Sequence, residues 1–456
     1  MLPMINEIRS YDWGSPDGIP AFTGIANPAG EPMAELWMGA HPAAPSRVRR
    51  AGGLESLEQL IGRDPEGVLG AAVSRRFARR LPFLFKILSA GRALSIQAHP
   101  SLEQAREGFA RENEAGIPLD AFERSYRDDN HKPELIRALT PFTALRGFRP
   151  HADIAADFAG PEFDVLRDAV DALAAHRDAA TLRGFFTALM EADAETVAAA
   201  SIARAERAGA ATSSPGADRN RGAAEPGAAT PAAGLRYEWV LRLHEQFGPD
   251  RGIAAPLYLN CLVLEPGEAM FLPAGTLHAY LAGTGIEIMA NSDNVLRGGL
   301  TGKHVNVPEL IRTLRFEPDE PIVQRAPPPG EGGAPDPPAA AGGAPWHRYD
   351  SPVPEFALEE ARVEGRLLRD RRPGVPEILL VLDGAVLISE EVDRDAGNTP
   401  ETAAAAARAG ARSRHMEVPR GGSVFVPAAS GPYTLDGSAR VFVATVPPAE
   451  AGGPPI

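Results

Sequence analysis

One string limits this chain more than any other: Gly267-Glu268-Ala269-Met270-Phe271-Leu272-Pro273-Ala274-Gly275-Thr276-Leu277-His278. It orders a glycine, five residues, Pro-x-Gly, two residues and a histidine. Gly267 makes a turn and Glu268 to Leu272 form a strand. Pro273 and Gly275 shape the next turn, so that His278 projects inward. A lone histidine is more often a hydrogen-bonded core or surface residue than a ligand. The ordered glycines and proline before this one reverse that expectation.

A metal needs further ligands. Ser95-Ile96-Gln97-Ala98-His99 lies in an apolar strand pattern, and alternate residues on a strand share a face, so Ser95, Gln97 and His99 point the same way. A polar row facing inward is costly unless something satisfies it. A metal would do so; a solvated face with alternating polarity is an equal alternative on this segment alone. Two histidines and a carboxylate form a common catalytic zinc set. Asn130-His131-Lys132-Pro133-Glu134 offers the carboxylate: Pro133 biases Lys132 toward an extended conformation, which puts Lys132 and Glu134 on one side. Spacing alone does not select Glu134 among so many acids.

The chain has 456 residues and a net charge of −14. Its length suggests two or three domains. The acidic balance argues against a nucleic-acid binder, and an anionic substrate would need a local cluster of positive charge. No apolar run reaches the roughly 18 residues that cross a bilayer, and the N-terminus does not read as a signal peptide. With Cys261 as the single cysteine, a disulfide within one chain is impossible, and a reducing cytoplasm fits best. Nothing suggests an obligate assembly, so a monomer is expected. Of 46 basic residues only Lys86, Lys132 and Lys303 are lysine. Codon bias with accidental survivors is the bland reading. For Lys132 and Lys303 chance is the weaker one, because both stand among the other chemical signals and lysine is not interchangeable with arginine. For Lys86 a structural role is equally plausible.

Three segments, 208–235, 326–345 and 394–414, read as linkers or loops rich in Ala, Gly, Pro or Arg. Residues 81–100 and 255–290 read as strands, 150–207 and Leu235 to Phe247 as helices, and 374–392 and 415–446 as strands with turns at Asp383-Gly384 and Asp436-Gly437. The order is β, then α, then β, then a separate β module.

The long string resembles the second metal motif of the cupin superfamily, although Ala282 stands where an asparagine is often found. Together with Ser95-Ile96-Gln97-Ala98-His99-Pro100, Asp128-Asp129-Asn130-His131-Lys132-Pro133-Glu134 and Gly285-Ile286-Glu287-Ile288-Met289-Ala290-Asn291-Ser292-Asp293-Asn294-Val295-Leu296-Arg297, it resembles the type I mannose-6-phosphate isomerases. So do Tyr11-Asp12-Trp13-Gly14, Ala34-Glu35-Leu36-Trp37-Met38-Gly39 and Gly299-Leu300-Thr301-Gly302-Lys303-His304, the last with Gly302 where the family usually has proline. The likeness covers residues 1 to about 150 and 255 to 315.

The resemblance implies a mainly β fold with an α-helical insertion and two cupin-type jelly-roll barrels. The first is split (1–149 and 253–325) by a helical domain at 150–252. A linker at 326–346 leads to the second barrel at 347–449. That module keeps the glycine and proline of the motif in Gly421-Gly422-Ser423-Val424-Phe425-Val426-Pro427 but has Pro432 at the histidine position, so it is expected to hold no metal; His415 is expected at the surface. The resemblance further implies one Zn2+ on Gln97, His99, Glu134 and His278, and a pocket lined by Ser95, Lys132, Glu287, Asp293, Arg297 and Lys303, with Arg297 catalytic. The implied activity is interconversion of mannose 6-phosphate and fructose 6-phosphate through a cis-enediol(ate). It would supply mannose phosphates for GDP-mannose and glycan synthesis or feed mannose into glycolysis. Glu287 and Asp293 are candidates for the base or its orienting partner, or else for a loop salt-bridge network with Arg297 and Lys303. Lys132, Lys303 and Ser95 are candidates for phosphate contact or proton transfer. Two rivals share the barrel: an iron oxygenase, which would leave positions open where Gln97 fills one, and a sugar-phosphate sensor without turnover.

Overall fold

The computed structural model describes residues 1–50, 52–212, 233–326, 346–371, 374–390 and 415–448. Its strands pair antiparallel in two sheets of eleven and nine, and helices fill the middle of the chain, as the mainly β reading with a helical insertion expects. The segments read as linkers lie outside the described residues except at their edges. There the helix Ala194–Thr212 runs further, and Ala233–Phe247 starts earlier, than composition suggested.

The eleven-stranded sheet is organised by one long strand, His278–Ala290. Its C-terminal half pairs on one side with Phe83–Ala90 and on the other with Glu134–Ala138. Its N-terminal half pairs with Ile96–Ala98 and Phe142–Phe148. The change of partner falls at a register shift between Tyr280 and Ala282, followed by Gly283 at φ 121°. A side chain there would put its Cβ 2.7 Å from the Pro141 carbonyl oxygen, so only glycine lets the strand bend this close to its neighbour. One strand thereby joins two halves of the sheet and carries residues of both toward one place.

The helices back that place. In Ala179–Glu191, Leu182, Phe185, Phe186, Leu189 and Met190 are buried at i, i+3, i+4, i+7 and i+8, and Asp178 caps the N-terminus together with Thr181. This stripe packs into one core with Ile96, Ala98, Leu145 and Phe148 from the sheet. Because Ile96 and Ala98 face the helices, Gln97 and His99 must face the other way.

The nine-stranded sheet is built on the long strands Ala357–Arg369, Glu377–Glu390 and Tyr433–Thr445. Their residues alternate between two cores. Leu379 and Val381 pack within the module, while Ile378, Leu380 and Leu382 pack against Phe83, Phe85 and Ile286 of the first sheet. The module is not separate from the start of the chain, since Leu2 pairs with Phe425 and Met4 with Val48 in the same sheet. Asp383-Gly384 and Asp436-Gly437, read as turns, lie inside strands. Gly384 and Gly437 both have positive φ, and each lies close to the opposite strand, Gly384 at the Ser438 carbonyl and Gly437 at the Ala385 carbonyl, at a bulge between Leu382 and Ala385. The composition cue for a turn and that for a bulge are the same left-handed residue, so local sequence does not separate the two. No helix among the described residues is long and apolar enough to cross a membrane.

Candidate metal centre

His278 opens its strand directly after the Pro273–Gly275 turn, as the motif dictates. Gly275 takes the left-handed conformation (φ 77°), and its N–H donates to the His99 carbonyl at 2.9 Å, tying the turn to the neighbouring strand. Glu134 starts Glu134–Ala138, opposite Leu272 of the motif strand and Met289 of the long strand. The sheet thus delivers three side chains to one point. The ligand atoms of His99, Glu134 and His278 all lie within 4.8 Å of one another and all three residues are buried. Each histidine Nε2 is 3.4 Å from a Glu134 oxygen.

Both imidazoles are held with Nε2 free. His99 Nδ1 donates to the Asn294 carbonyl at 2.7 Å and His278 Nδ1 to the Thr276 carbonyl at 2.9 Å. A carbonyl can only accept, so Nδ1 carries the hydrogen and the lone pair sits on Nε2. His99 Nε2, His278 Nε2 and Glu134 Oε2 are then buried without a hydrogen-bond partner. Orphaned buried acceptors cost free energy unless something satisfies them. Three acceptors converging on one point, from two imidazoles and a carboxylate, fit a divalent cation of zinc type. Gln97, half-buried, sits in register opposite both His278 and Arg297, on the face it shares with His99.

The charges agree. Burial alone would raise the Glu134 carboxyl, but Lys132, His99 and His278 outweigh it and hold it well below the ordinary carboxylate range. Burial, aided by the Lys132 charge, pushes the His99 imidazole down to about 4, which keeps it neutral and able to ligate. Lys132 Nζ bonds Glu134 Oε1 at 2.9 Å, the same-side placement that Pro133 predicts.

The other expected site residues lie in four places. Glu287 is fully enclosed and bonds Lys86 Nζ at 2.9 Å; Lys86 also reaches Glu35 at 3.1 Å. Burial and the neighbouring Glu134 and Glu35 charges raise the Glu287 carboxyl, against the pull of Lys86. Asp293 is half exposed, 3.5 Å from His41, and its N–H donates to Asp128. Arg297 and Lys303 line a 270 Å³ cavity together with Arg127, Ser125 and His304. Ser95 is half-buried immediately before the Ile96–Ala98 strand. The structure therefore brings Glu287 to Lys86 and Asp293 to His41. The network linking both acids to Arg297 and Lys303 does not form among the described residues.

Sequence reasoning left one neighbour open and missed two. Lys86, singled out by its rarity as a lysine but with a structural role equally open, is at the site. Tyr280, two residues after His278, is buried with its hydroxyl unpartnered; burial and the Glu287 and Glu134 carboxylates push its pKa well up. Period-two spacing from His278 could have found it. Asn294 organises the loops, its Oδ1 accepting from Arg127 N–H and its Nδ2 donating to the Asp128 and Asn130 carbonyls. This clamp accounts for two of the polar strings as mutual partners.

Residues 1–151 match the family profile described as phosphomannose isomerase type I, catalytic domain. The mannose-6-phosphate isomerase of Escherichia coli (strain K12) is 42% identical over 322 residues, covering 70% of this chain and 75% of that protein. The Bos taurus enzyme of the same name is 34% identical over 409 residues, covering 85% and 89%. Among solved structures, a variant of phosphomannose isomerase from Salmonella typhimurium superimposes with TM-score 0.78 at 33% identity, over 98% of this chain and 99% of that one. A zinc-bound mannose 6-phosphate isomerase does so with TM-score 0.76 at 34% identity, with the same coverage. With a buried His-Glu-His cluster and relatives of this identity and coverage, the chain belongs to the type I phosphomannose isomerase family.

Proposed function

We propose that this chain interconverts mannose 6-phosphate and fructose 6-phosphate, moving a proton between C1 and C2 of the open-chain sugar through a cis-enediol(ate). The observation that carries this reading is the set of three orphaned buried ligand atoms on His99, Glu134 and His278. Gln97 would complete a zinc site, one ion per chain. When bound, the ion supplies a Lewis acid that polarises sugar oxygens and favours negative charge on them.

The chain's own residues do the rest. The raised Glu287 carboxyl suits a group that takes a proton from one carbon and returns it to the next, since such a group works best with a pKa near the operating pH. Lys86 fixes that carboxylate from the side, and Lys132 offers a second proton carrier beside Glu134. Arg297 and Lys303 supply the local positive charge that an acidic protein needs for a phosphate, with Ser95 as a further contact and Arg297 also placed to favour the enediolate. Asp293 orients through His41.

In the same reading both sheets are cupin-type jelly rolls, the first interrupted by the helices and the second metal-free because Pro432 stands at the ligand position. The activity would connect mannose phosphates for glycan synthesis with hexose-phosphate breakdown. The test is a coupled assay for fructose 6-phosphate from mannose 6-phosphate, with unphosphorylated mannose as control. Turnover that depends on the phosphate is expected; folded, zinc-loaded protein that forms no fructose 6-phosphate would overturn the reading.

A further inference from the structure

The chain carries four primary amines: the Met1 α-amino group, Lys86, Lys132 and Lys303. Three are engaged in ion pairs. The Met1 ammonium bonds Glu390 at 3.2 Å. Lys86 is 5% exposed between two carboxylates, and Lys132 is 11% exposed against Glu134. Lys303 differs on every count. It is exposed, it makes no ion pair among the described residues, and it lines the 270 Å³ cavity. Arg127 and Arg297 line the same cavity, also without ion pairs among the described residues; the acid on its wall is Asp120. Burial, with the charges of Arg297 and Arg127, lowers the Lys303 pKa, which increases its share of neutral, nucleophilic amine.

We propose that Lys303 is a covalent modification site for phosphorylated aldehydes, with Arg127 and Arg297 holding the phosphate while Lys303 Nζ condenses with the carbonyl. The Nζ lone pair forms the bond to the carbonyl carbon and the C=O π pair moves to oxygen. A proton then passes from nitrogen to that oxygen, giving a carbinolamine. Protonation of the hydroxyl and its departure as water, driven by the nitrogen lone pair, gives the iminium. No oxidation state changes overall, and hydrolysis reverses the adduct. The adduct fills the cavity, so a sugar phosphate that needs the same cations is excluded while it persists. The site stands independently of the isomerase reading, because labelling is read without turnover.

The test treats the full chain with pyridoxal 5′-phosphate, reduces with borohydride, and maps the pyridoxyl group by peptide mass. An adduct concentrated on Lys303 is expected, slowed by inorganic phosphate, with pyridoxal lacking the phosphate reacting roughly ten-fold more slowly because it gains nothing from the local positive field. Lys303→Arg should abolish the adduct, and Arg127→Gln should slow it while leaving the amine in place. Label spread over Lys86, Lys132 and Met1, or equal rates for pyridoxal and its phosphate, would overturn the proposal.

Discussion

His99 and His278 each commit one ring nitrogen to a backbone carbonyl, and that commitment fixes which atom is left for a metal. Changing a group beside a ligand costs about 10–100-fold in metal affinity, and removing a ligand should cost more. His278→Ala should therefore emerge from purification with little bound zinc, which elemental analysis would report, and with turnover close to background. Retention of a full equivalent of zinc would contradict the assigned site. For Glu287 the expected loss is in chemistry rather than binding: Glu287→Gln should lower kcat by roughly 10²–10⁴ with a much smaller change in KM. Steady-state kinetics decide this, and an unaltered kcat would remove Glu287 from the mechanism. Lys303 predicts a pH dependence. The ammonium is charged below its pKa, and burial with Arg297 and Arg127 has lowered that pKa. Phosphate affinity should be full at lower pH and decline as pH rises through the lowered value, sooner than an ordinary lysine would allow. Calorimetric titration of inorganic phosphate against pH should show this, and Lys303→Arg should move the decline upward.

At the scale of the element, the strand His278–Ala290 does the assembling, and Gly283 permits its bend. Gly283→Ala places a β-carbon against the Pro141 carbonyl at a left-handed φ and should cost at least ~2 kcal/mol, with zinc affinity falling as well. The helical insertion matters through one aromatic cluster. Phe186 packs against Phe148 at 5.6 Å between ring centroids and against Tyr258 at 5.9 Å. Phe186→Ala should destabilise by about 3–5 kcal/mol in denaturant unfolding. Legibility followed the reach of the physics. The motif strand, its turns, the shared face of Gln97 and His99, and the Lys132–Glu134 pairing are local consequences of residue type and were readable. The helices at 57–76 and Leu102–Glu114 were not read, although Ser101 and Gln104 form a capping box at the start of the latter. The partners of Glu287 and Asp293 come from segments far away in the chain, and no spacing rule reaches them.

On the whole-molecule scale, the two sheets are fastened by an apolar face and by an enclosed ion pair. Arg137, beside the motif strand, bonds Glu360 of the C-terminal module at 2.7 Å, and the Tyr349 hydroxyl also bonds Glu360 at 2.7 Å. Removing one member of such a pair strands the other, so Arg137→Met alone should cost about 3–5 kcal/mol, and Arg137→Met with Glu360→Leu should recover much of it. Equal destabilisation in the single and double variants would show that the pair is not the fastening. The central claim concerns the point where the strands converge, and it is tested by stripping the protein with a chelator and titrating zinc back while following both bound metal and formation of fructose 6-phosphate. The account predicts that turnover vanishes with the metal and returns in proportion to zinc, reaching its plateau at about one equivalent per chain, as the single His-Glu-His cluster among the described residues implies. Full turnover in metal-free protein, or one tightly bound zinc with no turnover, would contradict it.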